Sequence, residues 1–109
     1  MNTQSNNTGT AYTSPSVELM LESERVYKAF CRAIQLSTGL KGTALKQRIE
    51  ECHSATYKLL FGTDDKQELN TMEQVFLNWQ LWLTVGMVAA SRGVSAKELL
   101  EGLELPLFP

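Results

Sequence analysis

The residues of this sequence whose chemistry could act on a substrate are few. His53 is its one histidine, and Cys31 and Cys52 are its two cysteines. Acid–base or nucleophilic catalysis needs a base and a nucleophile converging on one pocket. His53 has Cys52 and Ser54 as immediate neighbours, but adjacent helical residues point about 100° apart, so Cys52 and His53 do not face each other as a Cys–His pair. One histidine with cysteines at positions 31 and 52 matches no metal-ligand spacing. Gly39 and Gly42 are not followed by Gly-Lys-Ser/Thr, so they do not make a phosphate loop. Carboxylates such as Glu50 and Glu51 fit a solvated helix face. The expectation is a protein that is not an enzyme, with no catalytic residues, no metal and no cofactor.

The elements that hold these residues follow from composition and periodicity. At 109 residues, 43% hydrophobic and 20% charged, the chain fits one globular domain with a thin core. Ten basic against twelve acidic side chains give a net charge of −2, which argues against a nucleic-acid binder. The cysteines lie in helical patterns among apolar neighbours and read as free, buried thiols. The opening MNTQSNNTGTAYTSPS has no lysine, arginine or apolar run, so it is not a secretory signal. Together these point to a cytoplasmic protein.

Residues 1–14 are polar and uncharged, a composition that cannot offset its ordering entropy, and are expected to form a disordered tail. Residues 15–102 read as an all-α helical domain with three main helices and a short fourth one, a bundle expected to be dimeric. Helix 1 starts at Ser14-Pro15, a cap residue followed by a proline suited to the first turn, and stops near Ser37, before Gly39. Its apolar stripe is Val17, Met20, Tyr27, Cys31 and Ile34. Helix 2 runs from about Thr43 to Phe61, with Leu45, Ile49, Cys52, Leu59 and Leu60 on one face. Helix 3 runs from about Met72 to Arg92 behind a capping box of Thr71 and Gln74. Ser95 and Glu98 cap the fourth helix, which ends near Gly102. Residues 103–109, LELPLFP, should be extended and are unusually apolar.

Helix 3 is apolar on two sides. Met72, Val75, Phe76, Trp79, Trp82, Leu83, Gly86, Met87 and Ala90 fall on one broad face, which reads as its core face. Leu77, Leu81, Val85 and Val88 gather on a nearly opposite stripe. Either helices 1 and 2 sandwich helix 3 within one chain, or the second stripe is a subunit or partner interface. The run Val75–Ala90 is 16 residues and includes Asn78 and Gln80, too short and too polar for a membrane span. Leu105, Leu107 and Phe108 have the same two readings, folding back over the bundle or docking on a partner. The candidate partner-binding residues are therefore Leu77, Leu81, Val85, Val88, Leu105, Leu107 and Phe108.

One stretch, Ala89 to Leu100, imitates a helix-turn-helix, with Gly93 at the turn and a capped helix after it. A recognition helix offers bases and amides to DNA, whereas this one offers Lys97 against Glu98, Glu101 and Glu104. It is better explained as a structural corner.

The chain resembles the small helical anti-activators of bacterial quorum sensing, the QslA type. The resemblance rests on its length, the polar opening MNTQSNNTGTAYTSPS, the helical layout and the two-sided helix VFLNWQLWLTVGMVAA. It implies an all-helical dimer that binds the ligand-binding domain of a LuxR-type acyl-homoserine-lactone receptor and blocks receptor dimerisation, and with it DNA binding. Apart from the resemblance, surplus apolar helix surface on an acidic helical protein is what a regulator acting by occlusion needs. The alternatives are a helix-turn-helix regulator using Ala89–Leu100 on DNA, and a structural or chaperone-like subunit.

Overall fold

A computed structural model describes residues 14–101. Four helices follow one another: α1 Val17–Thr38, α2 Gly42–Phe61, α3 Thr71–Arg92 and α4 Ala96–Glu101. The described residues are all-α, as expected, and none of their helices is long and apolar enough to cross a membrane. Residues 1–13, expected to be a disordered tail, and residues 102–109, which include Leu105, Leu107 and Phe108, lie outside the described residues.

Local capping chemistry sets the helix starts, and twice it does so at a different residue from the one expected. The hydroxyl of Ser16, not that of Ser14, caps α1 by accepting from the Leu19 N–H at 3.0 Å. The Ser14 carbonyl instead accepts from the Thr71 hydroxyl at 3.1 Å. At α3 the capping box is Asn70 with Glu73. The Asn70 side chain accepts from the Glu73 N–H at 2.9 Å, and the Glu73 carboxylate accepts from the Asn70 N–H at 3.0 Å. Asparagine outranks threonine as a cap, and a carboxylate in the first turn also complements the helix dipole. Gly39, at φ 72°, closes α1, and its N–H donates to the Gln35 carbonyl at 2.8 Å. Gly93 closes α3 in the same left-handed conformation.

Ser14 meets Thr71 at one end, and at the other the Arg92 guanidinium donates to the Ser37 carbonyl at 2.9 Å. α1 and α3, of 22 residues each and about 33 Å long, thus run parallel. α2 returns between their ends, and α4 packs on both. The Arg32 guanidinium, which donates to the Leu99 carbonyl at 2.9 Å, ties α4 to α1.

The core joins Val26, Phe30 and Ile34 of α1, Leu45, Ile49 and Tyr57 of α2, Leu77, Leu81, Val85 and Ala89 of α3, and Leu99 of α4. The helix enclosed on nearly every side is the second half of α1, where Phe30, Cys31, Ala33, Ile34 and Gln35 are all buried. α3 is covered on one side only, and that side is the opposite of the one expected. Leu77, Leu81 and Val85, read from the sequence as a candidate interface, are in the core, and Val88 is half-buried against it. Within this fold Leu77, Leu81 and Val85 commit their side chains to the core and do not form an exposed stripe, and Val88 keeps only a half-buried edge. Most of the broad face expected to be core lies in solvent: Met72, Val75, Phe76, Trp79, Leu83 and Met87 are exposed, while Trp82, at its edge, is half-buried against the core.

The reversal has a local cause. The core-facing arc of α3 also carries Gln74 and Asn78, which lower its apolar count. Asn78 is buried, and its side-chain oxygen accepts from the Gln74 amide at 3.1 Å. This bond offsets the desolvation that a lone buried amide would suffer. In α1 the expected stripe divides along its length. Val17, Met20 and Tyr27 are exposed, while Cys31 and Ile34 are buried.

Candidate protein-binding face

Met72, Phe76, Trp79, Leu83, Gly86 and Ala90 follow one another on α3 at alternating steps of four and three residues. Such spacing averages 3.5 residues, so the seam drifts only about 20° around the helix per seven residues, the pattern by which a second helix is held in a coiled coil. The seam runs over 19 residues, Met72 to Ala90, a rise of about 27 Å. Trp79 is 66% exposed and Phe76 54% exposed, and Met87, 69% exposed, lies beside them. Contiguous apolar surface of this kind is unusual on a monomer and marks contact sites, and tryptophan, phenylalanine and methionine are the residue types enriched in them. Gly86 and Ala90 give the seam a smooth end. A Cβ added at Gly86 would meet nothing within 4 Å, so no neighbour among the described residues requires a glycine there. Small residues on an open face let another backbone approach closely.

A second apolar region lies on the α2 side. Val17, Met20 and Leu21 of α1 share with Leu77, Leu81 and His53 an open cavity of about 570 Å³. Its floor is core leucine, and its rim carries Glu24 and Gln74.

The reactive side chains gather next to it. Tyr27, Glu50, His53, Ser54 and Lys66 line a cavity of about 580 Å³. Residue spacing does not disclose this cluster, because Lys66 belongs to the loop after α2 and Tyr27 to α1. The Lys66 ammonium donates to the Ser54 hydroxyl at 3.3 Å and sits 5.2 Å over the Tyr57 ring. His53 stands among aromatic rings, edge-on to Tyr27 at 5.6 Å and to Phe30 at 6.3 Å. Burial, and then the Lys66 charge, push its imidazole pKa below the usual histidine value. Tyr27 keeps an exposed edge, at 39%, but partial burial raises its phenol to about 12, and burial pushes the Cys31 thiol up. Each of these groups is thereby held in its neutral form. Cys31 is buried and Cys52 half-buried, and both are free thiols. Among the described residues no three of His, Cys, Asp and Glu come close enough to hold a metal ion.

The His53 environment carries a pH dependence. Because its folded pKa is depressed, protons bind the unfolded chain more readily. The stability from the neutral imidazole is complete above about pH 6.5, the unfolded value, and is lost as pH falls through the folded pKa. Thermal melts of the parent and of His53→Gln between pH 7.5 and 5 should show a smaller acid-side fall in the variant. Parallel falls would place the imidazole in water.

The Ala89–Leu100 corner is built as a structural joint. The Val94 N–H donates back to the Ala89 carbonyl at 3.1 Å, the Ser95 hydroxyl accepts from the Glu98 N–H at 3.0 Å, and Leu99 is fully buried. α4 has six residues and exposes Lys97 together with Glu98 and Glu101. Lys97 is 3.9 Å from the Glu101 carboxylate. Comparison of the chain with family models, with curated proteins and with solved structures gives no match.

Proposed function

We propose that this chain is a small regulatory protein that acts by binding another protein, and that the partner docks an apolar helix along the α3 seam of Met72, Phe76, Trp79, Leu83, Gly86 and Ala90. The observation that carries the reading is the exposure of Phe76, Trp79, Leu83 and Met87 on a helix whose opposite side already supplies the core. The 3.5-residue spacing favours a helical partner over an extended one. The self-association expected from the sequence moves with the face. Two α3 seams pair in the free protein, and the partner takes the place of the second copy.

The resemblance to the quorum-sensing anti-activators gives the partner a class. On that reading the partner is a LuxR-type transcription factor, which the chain sequesters so that it neither dimerises nor binds DNA. The acidic composition supports occlusion over direct DNA reading, as does a fourth helix with two exposed acids and one base. A gel shift of a LuxR-type receptor on its DNA site, titrated with the chain at two salt concentrations, tests this. The receptor–DNA band should disappear, and the chain alone should shift no DNA. A shift by the chain alone that weakens steeply with salt would mark phosphate contacts and favour the helix-turn-helix alternative.

A further inference from the structure

The described residues end beside an apolar groove that none of them fills. Leu19 and Val26 of α1, Val75, Trp79 and Trp82 of α3, and Leu100 of α4 wall a cavity of about 310 Å³. Leu100 is one residue short of the end of α4 at Glu101, so the described residues end next to a wall of the groove. The sequence continues Gly102-Leu103-Glu104-Leu105-Pro106-Leu107-Phe108-Pro109. Extended, eight residues span up to about 26 Å, whereas the groove wall from Trp82 to Val75 is two turns of helix, a rise of about 10 Å. Reach is therefore ample.

Composition matches as well. In an extended strand Leu103, Leu105 and Leu107 share one side at intervals of about 7 Å, and Glu104 and Pro106 fall on the other. Pro106 and Pro109 lack the N–H and the freedom in φ that a continuing helix needs. We propose that residues 103–108 lie along this groove of their own chain, with the three leucines inward over Trp79 and Trp82. A tethered segment meets the groove at a millimolar effective concentration, which favours it over a separate molecule of the same composition. The inference concerns the free monomer: Trp79 also belongs to the α3 seam, so the segment covers part of that surface until a partner or a second copy pairs along the seam and displaces it from Trp79.

Trp79 and Trp82 are the two tryptophans of the chain, and both wall the groove, so intrinsic fluorescence reads its occupancy directly. The full chain is compared with a full-length Leu105→Asp/Leu107→Asp variant, at a concentration where sedimentation gives monomer. The variant should emit at longer wavelength, and its quenching by acrylamide should rise about twofold as water reaches the indole rings. Its helical circular dichroism should not change, because both substitutions follow the last helix. Identical emission and quenching in the two proteins would show an unoccupied groove and overturn the proposal. A difference that vanishes on dilution from dimer to monomer would place a second copy's segment there and overturn it equally.

Discussion

Replacing Leu81 with glutamate is expected to abolish cooperative unfolding, whereas glutamate at Leu83, two residues further along the same helix, should leave the melt within a few degrees of the parent. Leu81 is 2% exposed and Leu83 45% exposed. Truncating a buried leucine costs about 2–5 kcal/mol through lost transfer energy and cavity formation. A carboxylate left there without a partner costs several kcal/mol more, or takes up a proton to avoid it. Domains of this size have roughly 5–15 kcal/mol in all, so the Leu81 variant should have little left. At Leu83 the side chain already meets water, and a surface substitution changes stability by about 0.5 kcal/mol. Thermal melts followed by circular dichroism decide the matter. If Leu83→Glu unfolds the protein and Leu81→Glu does not, α3 is rotated by half a turn from the structure described.

That contrast also separates what the residues disclose from what they conceal. The four helices were legible, because glycines at 39, 62 and 93 stop the three long ones and polar side chains cap the starts of α1, α3 and α4, and these signals act within a single turn. Capping residues were misplaced by one or two positions, since Asn70 and Thr71, or Ser14 and Ser16, are neighbouring candidates that only the three-dimensional hydrogen bonds distinguish. The orientation of α3 was not legible. Periodicity shows that two sides of a helix are apolar, but choosing the inner one by summed hydrophobicity assumes that the larger apolar face seeks the core. Here the larger face carries both an indole and a phenyl ring into solvent, and the smaller one, interrupted by Gln74 and Asn78, faces α1. The aromatic surroundings of His53 were equally hidden, because Tyr27, Phe30 and Tyr57 reach it from two helices whose register a linear pattern does not give. Leu105, Leu107 and Phe108 belong to residues 102–109 and stand as the sequence left them, an apolar segment, joined now by a groove that begins where they do.

Substituting glutamate at both Phe76 and Trp79 is expected to eliminate partner binding without unfolding the chain. The two side chains are 54% and 66% exposed, so the monomer loses little when they become polar. In a contact they would sit at successive seam positions, where a buried aromatic anchor contributes about 2 kcal/mol or more and its truncation weakens binding by about 30-fold. Two such changes, with charge placed against an apolar helix, should take affinity below detection. A Leu21→Glu variant serves as the control. It is a comparable change at an exposed apolar residue of α1, off the α3 seam, and should bind as the parent does. Sedimentation should find the double variant monomeric at concentrations where the parent associates. In the gel shift it should no longer release a LuxR-type receptor from DNA. Full binding by a folded Phe76→Glu/Trp79→Glu protein, with Leu21→Glu defective instead, would move the contact to the α1 side, where Val17, Met20 and Leu21 border the cavity floored by Leu77 and Leu81. Both variants binding as tightly as the parent would leave the exposed apolar surface of this fold without a role in recognition.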